Sequence, residues 1–289
     1  MTVSCFINGG LGNQLFQIFT TIAYGMEHQQ LFLFQYYDHC GQRPTYWRNF
    51  LNHLSILTTA NPIHEVSNSD IDHYPHMREQ QEMKYHPLAP PFSNVRLHGY
   101  FQSPRYFDKY REAIFELIQL EAQKRQIRQD YDNYYVGQTA QRIPVISMHF
   151  RLGDYKGNPC HNVLEYEYYE QAVERMRLIY NAPNRMRVLF FCEASDNDIV
   201  YDKIRRLAQR FLTVEFVKVD DQIEDWKQML LMSLCDSNII ANSTFSWWGA
   251  YFNTTPNRQV VYPKQWFGPG LSHIDMEAAD TFPQDWHRI

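Results

Sequence analysis

"IPVISMHFRLGDY", residues 143–155, is an apolar run followed directly by a histidine, an arginine and an aspartate. The run 143–148 has the length and the near-continuous apolar composition of a strand that is buried on both faces. Gly153 supplies a turn between Arg151 and Asp154. The stretch therefore predicts a buried strand that carries polar side chains to the edge of a sheet.

The sequence after this stretch alternates regularly between short apolar runs and amphipathic segments. Such alternation is typical of a parallel sheet covered by helices on both faces, and it predicts a Rossmann-like domain. The further predicted strands are 187–192, 214–219, 237–242 and 259–263, and the predicted helices are 166–180, 196–211, 224–235 and a helix that starts at 246.

The first half of the chain opens with a second α/β pattern. Residues 2–10 indicate a strand that ends at a glycine pair, 13–29 have helical spacing, and 31–34 favour another strand, which together predict a βαβ unit. Residues 36–95 show little periodicity and predict short elements joined by ordered loops. A helix or helix pair over 110–135 closes this half, so we expect two α/β domains, 1–140 and 141–289.

Composition limits the classes of function. With 44% hydrophobic and 20% charged residues, the 289-residue chain has the profile of an ordinary globular protein. A net charge of −5 argues against a nucleic-acid partner held by bulk charge, but leaves room for a local basic site that binds a small phosphate.

The chain shows neither a leader-like apolar segment nor a run of eighteen apolar residues, so we expect a soluble, cytoplasmic protein without stable membrane insertion. Its five dispersed cysteines fit reduced thiols and lack zinc-site spacing.

Four polar clusters follow predicted strands, at the edge where parallel sheets bind ligands. Arginine offers a fork of donors to phosphate oxygens, hydroxyls at a helix start receive anions, and glycines let a backbone approach a ligand closely. Together they predict a diphosphate held between two domains. The clusters are "GGLGNQ" (9–14), "HFRLGD" (149–154), "EASD" (193–196) and "NSTFS" (242–246).

Each cluster also has a structural interpretation. His149 fits a buried core histidine, and Ser243 and Thr244 fit helix N-caps. Arg151 and Asp154 fit a pair that only fixes the loop. Trp247 and Trp248 fit packing residues better than a sugar platform, and the D-x-D triplets 70–72 and 196–198 are too common to indicate a metal site. The functional interpretation rests on all four clusters falling at strand ends.

The motifs "GGLGNQLFQ" (9–17), "GYFQSPRYF" (99–107), "HFRLGDY" (149–155) and "NSTFSWWGAYF" (242–252) resemble, in order and spacing, those of the α-1,2-fucosyltransferase family, glycosyltransferase family 11. This resemblance implies a GT-B fold with two Rossmann-like domains facing a cleft. The first domain would lie on the acceptor side, and the second would bind the GDP-sugar. It also implies GDP-fucose as donor, a glycan acceptor, inversion at the anomeric carbon, and neither a cofactor nor a metal.

By position, Arg151 resembles the family's β-phosphate-binding arginine and His149 the residue near the nucleotide ribose. The remaining residues that the resemblance assigns to the donor are Gly10, Gly12, Asn13, Gln14, Ser195, Asp196, Asn242, Ser243, Thr244 and Ser246. Two positions depart from the family pattern. Leu152 stands where many members have a second arginine, and "CEASDND" (192–198) replaces F-S-D-D, which makes the match at Ser195 and Asp196 looser.

The resemblance thus implies a metal-independent galactoside α-1,2-fucosyltransferase. The alternatives are a same-fold transferase that uses another nucleotide sugar and a non-catalytic sugar-binding protein. Arg151 and Asp154 are the predicted catalytic residues. Asp154 is predicted to be the general base that takes the acceptor proton, and the alternative is that it orients Arg151. The acceptor pocket is expected within 36–95.

Overall fold

The computed structural model describes residues 1–135, 143–180, 185–277 and 279–289. The chain forms two compact units. Unit 1 comprises Met1–Gln123 and Ile274–Pro283, and unit 2 comprises Lys124–His273 and Gln284–Ile289. The boundary predicted between residues 140 and 141 lies outside the described residues.

Unit 1 is built on a four-stranded parallel sheet with the order β2-β1-β6-β5. A short antiparallel hairpin, β3–β4, lies apart from that sheet. The strands are β1 Thr2–Cys5, β2 Leu31–Phe32, β3 His39–Cys40, β4 Arg43–Pro44, β5 His76–Arg78 and β6 Val95–His98. The helices are α1 Leu11–Glu27, α2 Asn68–Asp72, α3 Arg111–Leu117 and α4 Leu120–Asp130, the last of which continues into unit 2.

The β1–α1–β2 segment confirms the predicted βαβ opening. Gly9 makes the turn into α1 with φ +83°, a conformation that residues with a Cβ rarely adopt, and an added Cβ would lie 2.7 Å from Asn13 Nδ2. The apolar positions that predicted α1 are buried in the core of unit 1; these are Leu15, Ile18, Phe19, Ile22 and Ala23.

Unit 2 is a six-stranded sheet with the order β12-β11-β10-β7-β8-β9, and every strand pair is parallel. This confirms the Rossmann-like pattern predicted from the second half of the sequence. The strands are β7 Val145–His149, β8 Met186–Phe191, β9 Val214–Lys218, β10 Ser237–Ile239, β11 Val260–Tyr262 and β12 His287–Arg288. The helices are α5 Tyr166–Ile179, α6 Asn197–Arg210, α7 Asp225–Ser233 and α8 Thr244–Tyr251.

The strand order of unit 2 reverses between β7 and β10. From β7 the chain adds β8 and β9 on one side of the sheet, and then β10, β11 and β12 on the other. Loops that leave the sheet at such a switch point diverge, and the crevice between them is where open α/β sheets bind ligands. The loops after β7 and β10 are therefore the place to look for a site in unit 2.

Burial explains why β7 and β8 read as continuous apolar runs. All residues of both strands are buried. Alternate residues form one core with the inner faces of α5 and α6; these are Ile146, Met148, Met186, Val188 and Phe190. In the described part of the chain, no helix combines the length and the apolar character that a membrane span requires.

Candidate functional site

Arg151 lies two residues beyond the end of β7, at the switch point of the unit 2 sheet. Its guanidinium forms ion pairs with the carboxylates of Asp154 and Glu193, and it lies over the ring of Tyr155 at 4.9 Å from the ring centroid. The side chain is 17% exposed. Arg151 is thus oriented by two carboxylates and a ring but still reaches the surface at the carboxyl edge of the sheet.

The loop that carries Arg151 is fixed by Asp196, which is buried after β8. One Asp196 carboxylate oxygen accepts the backbone N–H of Gly153 at 2.7 Å, and the other accepts Lys156 Nζ at 2.7 Å. Ser195, beside it, is exposed. Both oxygens of Asp196 therefore have protein partners, and its predicted contact with a nucleotide stays a prediction, as does that of Ser195.

A second set of bonds connects the Arg151 loop to the loop after β10. Tyr155 Oη donates to the backbone oxygen of Asn242 at 3.1 Å. The Asn242 side chain donates in turn to the backbone oxygens of Asn162 and Trp266, at 2.8 and 2.9 Å. Its buried Oδ1 has no hydrogen-bond partner among the described residues. These bonds connect the loop after β7 to the loop after β10, the two loops that diverge at the switch point.

Helix α8 begins in this second loop. Ser243 is its N-cap, and the Ser243 Oγ accepts the backbone N–H of Phe245 at 3.3 Å, while Ser246 Oγ donates to the backbone oxygen of Ser243 at 3.3 Å. Thr244, the first helical residue, is partly exposed. The capping role considered for Ser243 is confirmed, and the positive end of the helix dipole points to the same sheet edge as Arg151.

His149, the last residue of β7, is buried against the ring of Phe245, with 5.5 Å between ring centroids. No described residue forms a hydrogen bond with its Nδ1 atom. Burial, and to a lesser degree the charge of Arg151, lowers the pKa of His149 to about 3, so its imidazole is neutral near pH 7. A neutral imidazole is compatible with both predicted roles, a core residue and a ribose contact.

Because the unfolded pKa of a histidine is about 6.5, His149 should make unit 2 sensitive to acid. Between that value and the folded value of about 3, the unfolded state binds a proton that the folded state excludes. We expect this group to lower the free energy of unfolding by up to about 1.4 kcal/mol for each pH unit as the pH falls below 6.5. Urea denaturation at a series of pH values should show a shallower acid decline for His149→Gln. His273→Gln, at an exposed position in the same unit, is the control. Identical slopes for wild type and His149→Gln would contradict the prediction.

The glycine motif lies at the corresponding edge of the unit 1 sheet. Gly10 is the N-cap residue of α1, and Gly12 and Asn13 belong to its first turn. Gln14 Nε2 donates to the backbone oxygens of Gly9 and Pro44, at 3.0 and 2.8 Å. The assignment of Gly10, Gly12, Asn13 and Gln14 to the donor stays a prediction.

Two sequence motifs of unit 1 meet at this edge. Gln102 Nε2 donates to Asn13 Oδ1 at 3.0 Å, and Gln17 Nε2 donates to the backbone oxygen of Gly99 at 3.1 Å. The motif at 99–107 therefore supports the glycine loop from the end of β6.

Within unit 2, the structure brings together three of the four predicted clusters, those that follow β7, β8 and β10. Sequence analysis placed Glu193 in the cluster 193–196 and Tyr155 in the motif 149–155 without giving either a role, and it missed Lys156. Glu193 stands two residues after β8, as Arg151 stands two residues after β7. This matching position was the signal that could have identified it.

Three of the four aspartates in the D-x-D triplets have structural partners. Asp70 caps α2 through Ser67, and Asp72 pairs with Arg96 at 2.8 Å. Asp196 fixes the Arg151 loop, as described above. Within the described residues, no three His, Cys, Asp or Glu side chains form a group that could hold a metal ion.

Comparison with known proteins places this arrangement in a family. The sequence model described as "Glycosyl transferase family 11" matches residues 2–288. The O-antigen biosynthesis glycosyltransferase WbnK of Escherichia coli is 29% identical over 310 residues, which cover 95% of this chain and 98% of the relative. An alpha-1,2-colitosyltransferase of Escherichia coli is 26% identical over 200 residues, which cover 68% of this chain and 63% of that protein.

The fold has a counterpart among solved structures. The ADP-heptose lps heptosyltransferase II of E. coli matches with a TM-score of 0.51 at 11% sequence identity, over 100% of this chain and 90% of that one. The GT-B type with two Rossmann-like units, predicted from the sequence, is confirmed. Because the family match runs through both units, the chain belongs to glycosyl transferase family 11.

Proposed function

We propose that the protein transfers L-fucose from GDP-fucose to a sugar hydroxyl, O2 of a galactose-like residue, with inversion at the anomeric carbon. The observation that carries the proposal is the position of Arg151, a partly exposed cation at the switch point of a Rossmann-like sheet. Its loop is bonded through Tyr155 to Asn242, the residue before the N-cap of α8. Membership of glycosyl transferase family 11 supports the reaction class, and the α-1,2 linkage in one relative's name supports the regiochemistry.

In this proposal Arg151 binds the β-phosphate of the donor. When the bond between the anomeric carbon and the phosphate oxygen breaks, negative charge grows on the departing diphosphate, and a preoriented guanidinium stabilises it. The N-terminus of α8, with Ser243, Thr244 and Ser246, contributes a positive dipole to the same phosphates. His149, Asn242, Ser195 and Asp196 are assigned to the nucleotide end of the donor.

We assign Asp154 to the orientation of Arg151, the second of the two roles considered from the sequence. Its ion pair with the guanidinium supports this assignment. A carboxylate that is 55% exposed and already paired to a cation is poorly suited to take a proton from an acceptor.

A second candidate is a transferase of the same fold with another nucleotide-sugar donor. One relative is named for colitose rather than fucose, and this name is the observation that supports the second candidate. Incubation with a panel of GDP- and UDP-sugars and an acceptor glycan array separates the candidates. Transfer of fucose to terminal galactosides supports the proposal, transfer of a different sugar supports the second candidate, and neither transfer nor donor hydrolysis would indicate a sugar-binding protein.

The proposal places the protein in the cytosol. All five cysteines are free, which fits a reducing compartment. Burial raises the pKa of the Cys5 thiol to about 12 and that of Cys192 to about 11, so neither is a reactive thiolate.

We expect transfer to persist in the presence of EDTA. The charge of the diphosphate is balanced by Arg151 and the N-terminus of α8 in this proposal, and Asp70, Asp72 and Asp196 already have protein partners. Initial rates in EDTA, compared with rates after addition of Mg²⁺ or Mn²⁺, provide the measurement. A rate that collapses on chelation and returns with either cation would reject metal independence.

A further inference from the structure

His161, a residue without a role in the transfer as proposed above, stacks on the ring that also carries Arg151. The imidazole of His161 and the phenol of Tyr155 are nearly parallel, with 4.1 Å between the ring centroids and 9° between the planes. The guanidinium carbon of Arg151 lies 4.9 Å from the centroid of the same phenol ring. Tyr155 is therefore in contact with an imidazole and with a cation at the same time.

Backbone pairing fixes the position of His161. An antiparallel bridge joins His161 to Phe267, and the N–H of Gly268 donates to the backbone oxygen of Cys160 at 3.0 Å. Gly268 is required for this close approach, because a Cβ added to it would lie 2.5 Å from the backbone oxygen of Pro159 and 3.0 Å from the backbone nitrogen of His161. The loop before α5 is thus held against the loop after β11, and it presents the imidazole to the phenol ring.

The same two loops hold the other end of the phenol. Tyr155 Oη donates to the backbone oxygen of Asn242. The side-chain amide of Asn242 donates to the backbone oxygens of Asn162 and Trp266, one in each loop. The phenol is therefore fixed at its hydroxyl by these bonds and at its ring by His161.

The contact between Tyr155 and Arg151 differs from the two ion pairs of Arg151 in what happens when a donor binds. Asp154 and Glu193 occupy N–H groups of the guanidinium that a diphosphate would also use. The attraction between a cation and the face of an aromatic ring does not depend on those N–H groups. A ring that is held in place can therefore keep the guanidinium oriented while the carboxylates give way to phosphate oxygens.

We propose that His161 is a positioning residue of the transferase: by stacking on Tyr155 it holds the ring that keeps Arg151 oriented toward the β-phosphate of the donor. The proposal rests on the function proposed above, in which Arg151 binds that phosphate. His161 acts through Tyr155 and needs no contact of its own with either substrate. An arginine side chain that is already oriented loses less rotamer freedom when it binds, and this favours both donor affinity and stabilisation of the leaving group.

The charge state of His161 suits this role. Burial lowers the pKa of its imidazole, the carboxylate of Asp154 opposes the shift, and the charge of Arg151 adds to it. The imidazole is therefore neutral near pH 7 and does not repel the guanidinium that lies over the same phenol ring.

Removal of the imidazole should weaken donor binding and catalysis together. In His161→Ala we expect kcat/KM to fall by roughly 2- to 10-fold, the factor that corresponds to a stacked aromatic pair, and the Kd for GDP, measured by calorimetry, to rise. His161→Phe keeps a flat ring for Tyr155 and should recover most of the wild-type kcat/KM. His273→Ala, at an exposed position of the same unit, is the control and should leave both values unchanged.

A double-mutant cycle separates a positioning role from a merely structural one. If His161 acts through Arg151, His161→Ala should change neither kcat/KM nor the Kd for GDP further once Arg151 is replaced by alanine, whereas independent effects would add. His161→Leu fills the space without a flat ring, so it should lose as much as His161→Ala. It takes the place of His161→Ala in the cycle if the alanine variant does not fold.

A His161→Ala enzyme with the kcat/KM of wild type would overturn the proposal, and so would an equal loss in the wild-type and Arg151→Ala backgrounds. Failure of the proposed function is a separate outcome. If wild type does not transfer fucose but binds inorganic pyrophosphate, the Kd for pyrophosphate replaces kcat/KM in the same cycle. A wild type that binds neither GDP nor pyrophosphate would overturn both proposals.

Discussion

Arg151→Ala should reduce the rate of transfer by roughly 10²- to 10³-fold, the usual cost of losing a donor that stabilises charge in the transition state. The circular dichroism spectrum should not change, since Arg151 lies in a surface loop and is not part of the core of unit 2. Arg151→Lys should recover little activity, because an ammonium lacks the planar fork that binds two phosphate oxygens.

In the proposed function, the ion pairs of Arg151 orient its side chain before the donor binds. Asp154 and Glu193 hold the guanidinium, and a diphosphate has to take over donors that these carboxylates now occupy. In the proposed function this exchange would replace one set of charge-assisted bonds by another and would not leave the guanidinium as a bare cation. Stabilisation is then largest when charge develops on the leaving group.

Steady-state kinetics and GDP calorimetry on Arg151→Ala and Arg151→Lys are the measurements. Arg205→Ala is the matched control, since Arg205 is an exposed arginine of the same unit whose ion pair to Asp202 lies on helix α6. Retention of most of the wild-type kcat by Arg151→Ala would show that the phosphate assignment is incorrect.

The parts of the fold that the sequence predicted are those with strong periodicity. Strands β7 and β8 are buried on both faces, and this burial requires the continuous apolar runs from which they were predicted. Helix α1 could be predicted equally well from the spacing of its apolar residues, because these residues fill the core of unit 1. The polar clusters could be predicted to lie close together, because the carboxyl ends of parallel strands meet at one edge of the sheet.

The partners of these residues could not be predicted. That Asp196 holds the N–H of Gly153 depends on the way β7 and β8 lie side by side, which no local pattern encodes. That Glu79 accepts the N–H of Tyr100 depends likewise on the pairing of β5 with β6, because Glu79 directly follows β5 and Tyr100 lies just after β6. Pairings across strands are properties of register, and register emerges from the whole sheet.

Trp247→Ala should lower the free energy of unfolding of unit 2 by about 3–5 kcal/mol, the cost of deleting a large buried aromatic side chain. Trp247 has no exposed surface, stacks on Tyr251 with 4.8 Å between ring centroids, and packs against Trp286 at 5.5 Å. The packing interpretation of the two tryptophans is thereby confirmed. Because Ser243 and Ser246 precede it in the same turn of α8, Trp247 also fixes the N-terminus assigned to the phosphates.

This arrangement makes the loss of activity in Trp247→Ala indirect and therefore recoverable. A ligand that binds only the folded state stabilises it by mass action, so saturating GDP should restore part of the lost stability. The transfer rate, measured without added GDP, should recover in part at low temperature. An Arg151 variant should show no such recovery. Leu212→Ala, at a position that is 87% exposed in the same unit, should leave stability unchanged. The measurement is urea denaturation followed by circular dichroism with and without GDP. Stability of Trp247→Ala close to that of wild type would mean that the core of unit 2 does not hold the end of α8 in place.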